Sequence, residues 1–426
     1  MQQMSQYWIR AMQADILTVV AYAEVWAAPN TAGSNTGLLA TLPVVTGSVS
    51  MDDTNAVRRQ CSNVLIVPSP DLPPLIPQVA ADMMFPDGNE LVLYKGCRYP
   101  NRPFYRAAPT ISLPWVNNGI PFRGEVATLG RFLMEEVDID DSGGALTIVV
   151  GQGMDRADTV SRNELDQPFT TSGVDPTWVE INRLLALGDP SVQVDPSTPN
   201  LPIAVPPVTS YPIGSDPFAS AATLAQACAY ELFLDRNGQP QLMLVRDPST
   251  LPVVADYTEG PRCTVTQLNR KLSNVAVPNW IIVTSQGSGV TVPLRADWKD
   301  TNPDSPTFIY GTYPTTKQTI QTSLATTQDQ VDLLAETAGY GVIGLLESVT
   351  LNIRDNPAHE PEDVVTVTRE RAGLNGSAYV LGQIDISLDT ATPTPTTATG
   401  RLVPTSPTPF ILDSPTRGLL DVDTLG

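Results

Sequence analysis

Histidine is nearly absent, with His359 the one copy in 426 residues. Imidazole is the commonest general acid and base and a frequent metal ligand. Its scarcity leaves almost no room for a Ser-His or Cys-His nucleophile pair and none for a two-histidine zinc site. Basic side chains are also few: 25 Lys and Arg stand against 45 Asp and Glu, a formal net charge of −20. Non-specific attraction to nucleic acid or anionic lipid is disfavoured at that charge, so a DNA-binding role is not expected. Lysine is confined to Lys95, Lys271, Lys299 and Lys317, a pattern that fits host base composition better than mechanism. All charged residues together make up 16%, against the roughly 25% usual in soluble proteins. The surface must therefore be rich in uncharged Thr, Ser, Asn and Gln, which suits a protein held inside an assembly. The four cysteines, Cys61, Cys97, Cys228 and Cys263, lie far apart with no C-x-x-C spacing, so buried free thiols are expected and no zinc knuckle or redox pair. No run approaches the roughly 18 apolar residues of a membrane span, and Met1 to Asp15 lacks the apolar stretch of a signal peptide. The expectation is a protein made in a cytosol-like setting, with no stable membrane insertion.

Proline, by contrast, is abundant at 40 copies. Each removes a backbone donor and disfavours helix in the residue before it, so loops and short strands should dominate. Strand signals run through the first block: Ile16 to Trp26, Leu42 to Met51, Cys61 to Val67, Glu90 to Tyr94 as a half-buried alternating strand, then Phe132 to Asp138 and Leu146 to Val150. The last two flank Asp140-Asp141-Ser142-Gly143-Gly144, a hairpin signal. A short helix is expected at Tyr7 to Met12. The character changes after about Gly153. Asp175 to Ala186 and Asp216 to Tyr230 each read as a helix with Asp as N-cap and Pro just inside. A Pro-rich extended stretch separates them, and a hairpin with Asn237-Gly238 at its tip follows. Strands return at Val275 to Ser285, Leu345 to Ile353, Asp363 to Thr368 and Ser377 to Leu388, with a helix at Thr326 to Gly339. The Thr- and Pro-rich remainder reads as an extended arm without a core.

Four parts follow: a β-rich block over 1–153, an α+β middle region over 154–260, a second β-rich block with one helix over 261–388, and an arm over 389–426. The fold class expected is mainly β with α+β insertions, a pair of barrels or sandwiches around the middle region. At 426 residues several domains are required, because single cores stop growing well below this length.

Catalytic candidates are thin. His359 lies between Pro357 and Pro361 and reads as part of a surface turn. Glu135, Glu136, Asp138, Asp140 and Asp141 could offer oxygens to Ca²⁺, but the Glu that closes an EF-hand loop is missing and hairpin acids are usually just solvated. Gly287-Ser288-Gly289 has no lysine behind it, so it is no phosphate loop. Trp178, Trp280 and Trp298 read as core. No catalytic, cofactor-binding or metal-binding residue is assigned.

Several strings carry a resemblance. They include Trp8-Ile9-Arg10-Ala11-Met12, Gly47-Ser48-Val49-Ser50-Met51-Asp52 with Ala56-Val57-Arg58-Arg59-Gln60-Cys61, and Gly88-Asn89-Glu90-Leu91-Val92-Leu93-Tyr94-Lys95-Gly96-Cys97-Arg98-Tyr99. Further on come Leu129-Gly130-Arg131-Phe132, Met154-Asp155-Arg156-Ala157, Ala227-Cys228-Ala229-Tyr230-Glu231-Leu232 before Asp235-Arg236-Asn237-Gly238, Asn279-Trp280-Ile281-Ile282-Val283 and Ser305-Pro306-Thr307. The last is Asn356-Pro357-Ala358-His359-Glu360-Pro361-Glu362-Asp363-Val364-Val365. In this order, over about residues 7 to 388, they resemble a minor tail protein family of phages of actinobacteria, itself similar to baseplate hub proteins. The loop from Asn30 to Gly37 and the C-terminal arm fall outside the resemblance.

What the resemblance implies is a non-enzymatic virion protein at the distal end of a siphophage tail, assembled in the host cytoplasm. Two tube-type β-barrel domains per chain would let a homotrimer mimic a six-fold tube. The tail-tip or baseplate hub so formed would be part of the channel for DNA ejection, with viral DNA passing unbound. Its partners would be the distal tail protein, the tape-measure protein and tail fibre or spike proteins. The alternatives are a hexameric distal tail ring with one tube domain per chain, a receptor- or glycan-binding tail module, and an enzyme that opens the host wall.

Overall fold

The computed structural model describes residues 4–14, 17–27, 37–68, 75–79, 82–86, 89–113, 121–142, 146–260, 263–273, 276–285, 293–354, 356–391 and 394–404. A short helix, α1 (Gln6–Met12), is capped by the Ser5 hydroxyl, which accepts from Tyr7 N. The first block then lays down β1 (Thr18–Trp26), β2 (Leu38–Asp52), β3 (Arg59–Ile66), β4 (Glu90–Arg98), β5 (Thr110–Ile111), β6 (Phe122–Asp140) and β7 (Thr147–Met154). Pairing runs β1, β4, β6, β7, β3, β2 and returns from β2 to β1, all antiparallel. Six strands thus close on themselves, which leaves no open sheet edge inside the circuit. Val25, Leu42, Val64, Leu93, Phe132 and Val150 fill the interior, all fully buried.

β4 differs from the half-buried strand expected at Glu90 to Tyr94, because it is covered on both faces. Its inner side faces the barrel core. Cys97, which alternates with Leu91 and Leu93 on that inner side, packs with Trp8 and Met12 of α1 and with Tyr99, and on the outer side Tyr94 stacks on Tyr22 with ring centroids 4.7 Å apart.

The middle region forms α2 (Arg156–Arg162), β8 (Phe169–Thr170), α3 (Thr177–Gly188), β9 (Ser210–Tyr211), α4 (Pro217–Gln226) and the hairpin β10 (Tyr230–Leu234) with β11 (Pro240–Leu244). Its own core gathers Val160, Ile181, Leu184, Phe218 and Leu224. Asp216 caps α4 as the sequence implies, accepting from Ala219 N at 3.0 Å. Asp175 does not cap α3: Pro176 occupies the cap position and Asp175 pairs instead with Arg183 at 2.8 Å. Gly238, at φ +72°, turns the hairpin at the place the Asn-Gly pair implies.

The rest of the chain adds β12 (Val253–Thr258), β13 (Val265–Leu272), β14 (Trp280–Ser285), β15 (Leu294–Lys299), β16 (Lys317–Thr322), α5 (Gln328–Val342), β17 (Glu347–Ile353), β18 (Val364–Arg369), β19 (Leu374–Ser387) and β20 (Thr396–Val403). Six of these run in the order β12, β18, β19, β20, β17, β13. The insertion between β13 and β17 is a separate three-stranded sheet, β15, β14, β16, with α5 packed on one side.

The expectation of a coreless arm from Asp389 fails over β20. This strand lies between β17 and β19 and buries Thr396, Ala398 and Val403. Threonine is β-branched and suits a pleated surface, so a Thr-rich composition that reads as linker also makes a strand when two neighbours flank it. Residues 405–426 lie outside the described ones, as do most of the Asn30 to Gly37 loop, the glycines of the Asp140 hairpin tip and Gly287-Ser288-Gly289.

The two strand systems are continuous. β2 pairs with β1 through Leu38 to Pro43, then with β19 through Ser48 to Asp52. Gly47, at φ +143°, sits at the change of partner, where a Cβ would come within 2.9 Å of Val64 Cα.

Candidate functional site

The richest gathering of charged side chains lies where the first barrel, the middle region and the second sheet meet. The turn 356–363, between β17 and β18, supplies one side. Arg58 and Arg59, at the start of β3, supply another, and the β10–β11 hairpin the third. Both arginines are nearly fully buried, 6% and 4% exposed, in a chain where most charges are solvated. Arg58 pairs with Glu231 of β10, lies 3.8 Å from Glu362, and sits with its guanidinium 4.0 Å from the Phe233 ring centroid. Arg59 pairs with Glu360 and donates to the Leu234 carbonyl at 2.6 Å. Arg236, at the hairpin tip, reaches the same Glu360 and donates to Thr128 O at 3.0 Å. One short turn therefore holds three parts of the fold through planar, multi-donor arginines.

Asp155 extends the junction to α2. It caps that helix by accepting from Ala157 N at 2.9 Å, and it also accepts from Arg59 N at 3.1 Å. Burial pushes its carboxyl up to about 6, while the two backbone donors and the Arg59 charge hold it down. On the far side Arg401 of β20 donates to Tyr340 O and Ile343 O, at 2.9 and 2.6 Å, satisfying carbonyls at the end of α5. Clefts of about 500, 310 and 590 Å³ open beside this junction; the first two share Asp53, Glu231 and Arg401, and the last two share Glu362, Met243 and Leu251.

His359 is not in a surface turn. It is fully buried, with Nδ1 3.0 Å from Asp363 Oδ2 and Nε2 hydrogen-bonded to the hydroxyl of Tyr257 on β12. Asn356 Nδ2 also donates to that hydroxyl, at 3.3 Å. The prolines on either side fold the turn back over the sheet, and the ring is accommodated because both nitrogens have partners. The Asp four residues on was the available signal. With both nitrogens engaged and no exposed surface, this histidine positions the turn.

The acids Glu135 to Asp141 do not converge. Glu135 pairs with Arg162, while Glu136, Asp138 and Asp140 alternate along one exposed side of β6. Among the described residues no group of three or more His, Cys, Asp or Glu is placed to hold a metal ion. Cys61 and Cys97 are buried and Cys228 and Cys263 half-buried, all unbridged. Trp178 and Trp298 pack against cores as expected. Trp280 does not: it lies on the side of its sheet away from α5, with Lys299 and Lys317 each 4.2 Å from its ring.

No family model and no curated protein sequence matches the chain. Solved structures do match in fold. The chain is similar to the tail protein from Neisseria meningitidis MC58, at 12% identity and a TM-score of 0.53, over 91% of this chain and 99% of that one. It is also similar to the 43 kDa tail protein of prophage MuSo2 from Shewanella oneidensis, at 13% identity and a TM-score of 0.54, over 91% and 99%. A chain of the half-lidded Francisella PdpA–VgrG complex matches at 9% identity and a TM-score of 0.51, over 92% of this chain and 59% of that one. The fold is thus mainly β with α+β insertions, of the kind found in phage tail proteins and the VgrG complex.

Proposed function

We propose that the chain is a structural subunit of a phage tail, a hub-type building block at the distal tip that forms part of the channel wall for DNA ejection. The observation that carries this reading is the joining of two strand systems through β2 and β19 into one continuous sheet, in a fold shared almost end to end with two tail proteins. A subunit with two such modules supplies two wall segments, so three copies can close a ring of six-fold appearance through head-to-tail contacts. The fully enclosed His359 and the junction's mutually paired charges favour a load-carrying wall over a catalyst. An acidic chain repels phosphate, which lets DNA slide past without being gripped.

In this reading the minor tail family of actinobacterial phages is the source of the resemblance, and the distal tail, tape-measure and fibre proteins are the partners. Native mass measurement with negative-stain imaging tests it. A closed collar of three copies is expected. A chain that stays monomeric at every concentration, or a six-copy ring, overturns it. A zone of clearing by the purified protein on host peptidoglycan would overturn the non-enzymatic assignment.

A further inference from the structure

The sheet β15, β14, β16 has two unlike faces. Ile281, Val283, Ala296 and Trp298 turn toward α5. The register sets the opposite side: Trp280 lies between Lys299 and Lys317, Ile282 between Asp297 and Thr319, and Thr284 between Arg295 and Gln321. Both outer strands are exposed on this side. Arg295 is already engaged with Asp297, by hydrogen bonds of 2.9 and 3.0 Å, and Trp280 Nε1 donates to the same carboxylate at 2.8 Å. Lys299 and Lys317 remain, each with its ammonium 4.2 Å from the same indole and neither in an ion pair within 4 Å among the described residues, although the Lys299 charge also acts at longer range on Asp297. Two of the chain's four lysines are thus brought to one aromatic, from segments eighteen residues apart, on a molecule of net charge −20.

A complementary surface exists on the same chain. Glu136, Asp138 and Asp140 lie on one side of β6, all exposed, with no basic partner among the described residues. Alternate strand residues are spaced about 6.7 Å apart, so this row is about 13 Å long, and the two lysines are two strand spacings, about 9.5 Å, from each other. A row of three carboxylates therefore spans both ammonium groups, while the indole offers apolar area to the strand that carries the row. Two isolated lysines in so acidic a molecule are a poor footprint for a nucleic-acid strand, which needs several cations to replace its counterions.

We propose that this face of the β14 sheet binds a second copy of the chain, receiving the acidic end of that copy's β6. The contact is heterologous, one patch against a different one, as a closed ring requires, and it rests on the self-assembling reading above.

The test is the native mass of the full chain with charges reversed on either side. Lys299→Glu with Lys317→Glu, and separately Glu136→Lys, Asp138→Lys and Asp140→Lys, should each raise the concentration needed for assembly at least tenfold, with thermal melting unchanged. A chain carrying all five changes has the charges exchanged and should assemble again. If the lysine pair can be reversed with no change in assembly while the wild-type chain still forms its collar, this contact is wrong and the hub reading survives. If the wild-type chain never assembles, both fall. If the reversal instead removes only retention on a single-stranded oligonucleotide, nucleic acid is the occupant and the proposal fails.

Discussion

Glu231 and Glu362 share a hydrogen bond across the seam between the β10–β11 hairpin and the second sheet, and both face the guanidinium of Arg58. Glu362 sits in the left-handed region at φ +70°, with its N–H donating to Leu381 O at 2.6 Å. That backbone setting fixes where its carboxyl points.

The acid pair makes the seam sensitive to pH. Burial, followed by the hydrogen bond and charge of Glu231, raises the Glu362 carboxyl from an ordinary 4.5 to about 8, against the opposing pull of Arg58. Asp53, whose carboxyl is also pushed up by burial, and Arg401 complete the charged surroundings. Between 4.5 and 8 the folded state retains a proton that the unfolded state has lost. The stabilisation is therefore fully present below about 4.5 and is lost as pH rises through 8. The side chain is 30% exposed, so solvent screening limits the effect to the order of 1 kcal/mol. Denaturant titrations from pH 5 to 9 should show stability falling with pH, with Asp155 adding a slope of the same sign lower in the range. Glu362→Gln should remove the part above pH 7; an unchanged slope would refute the shared proton.

His359 offers a second test. Replacing it with alanine leaves a cavity beside Tyr257 and takes a partner from both the Tyr257 hydroxyl and Asp363. The combined loss should be about 2–4 kcal/mol. Tyr257→Phe removes one hydrogen bond and keeps the volume, so about 1 kcal/mol is expected. Chemical denaturation of both variants checks the order; equal costs would mean that the Tyr257 hydroxyl contributes as much as the whole ring.

Local features of the fold were legible in the sequence, and their long-range closure was not. β-branched and aromatic residues mark β1, the turn residues after Asp138 mark the β6–β7 pair, Asp216-Pro217 marks the start of α4, and Asn237-Gly238 marks a hairpin, because each signal lies within a few residues; the alternation at Glu90 to Tyr94 misled, since β4 is covered on both faces. The seam between β2 and β19 joins Ser50 to Asp385, whose side chains hydrogen-bond at 2.7 Å across 335 positions. Nothing local encodes such a pairing. The same holds for β20, whose strand character depends on β17 and β19, and for Trp280, whose lysines arrive from β15 and β16. His359 misled because flanking prolines signal a turn without saying which way it folds.

Gly339 reads in the sequence as the end of a helix expected over Thr326 to Gly339. α5 instead continues to Val342, with Thr327 and Gln330 forming a capping box at its start. The glycine is there for Trp298: a Cβ at 339 would come within 2.2 Å of the indole. Gly339→Ala should therefore destabilise the insertion by about 1–3 kcal/mol through overpacking, despite alanine's better helix propensity. Hydrogen exchange should show faster opening of α5 and β15 than of the barrel. Stabilisation would mean that Trp298 has room to move.

The buried pair of Glu90 and Arg156 provides the last test, because it links β4 of the barrel to α2 of the middle region. Glu90 is fully enclosed and Arg156 is 2% exposed, with Arg131 Nε 3.3 Å from the second carboxylate oxygen. Removing Arg156 takes one charge-assisted hydrogen bond from the enclosed carboxylate and leaves Arg131 as its cationic partner, so Arg156→Met should cost about 1.5–3 kcal/mol. Glu90→Gln in the same chain removes the half-paired carboxylate, and Arg131, 14% exposed, can turn its charge toward water. The double variant should therefore recover a large part of the loss, giving a coupling of about 1–3 kcal/mol in a double-mutant cycle. Simple additivity of the two single costs would mean that the Glu90–Arg156 pair is not what joins the barrel to α2, and that the Asp155–Arg59 hydrogen bonds and the Glu135–Arg162 pair carry that connection.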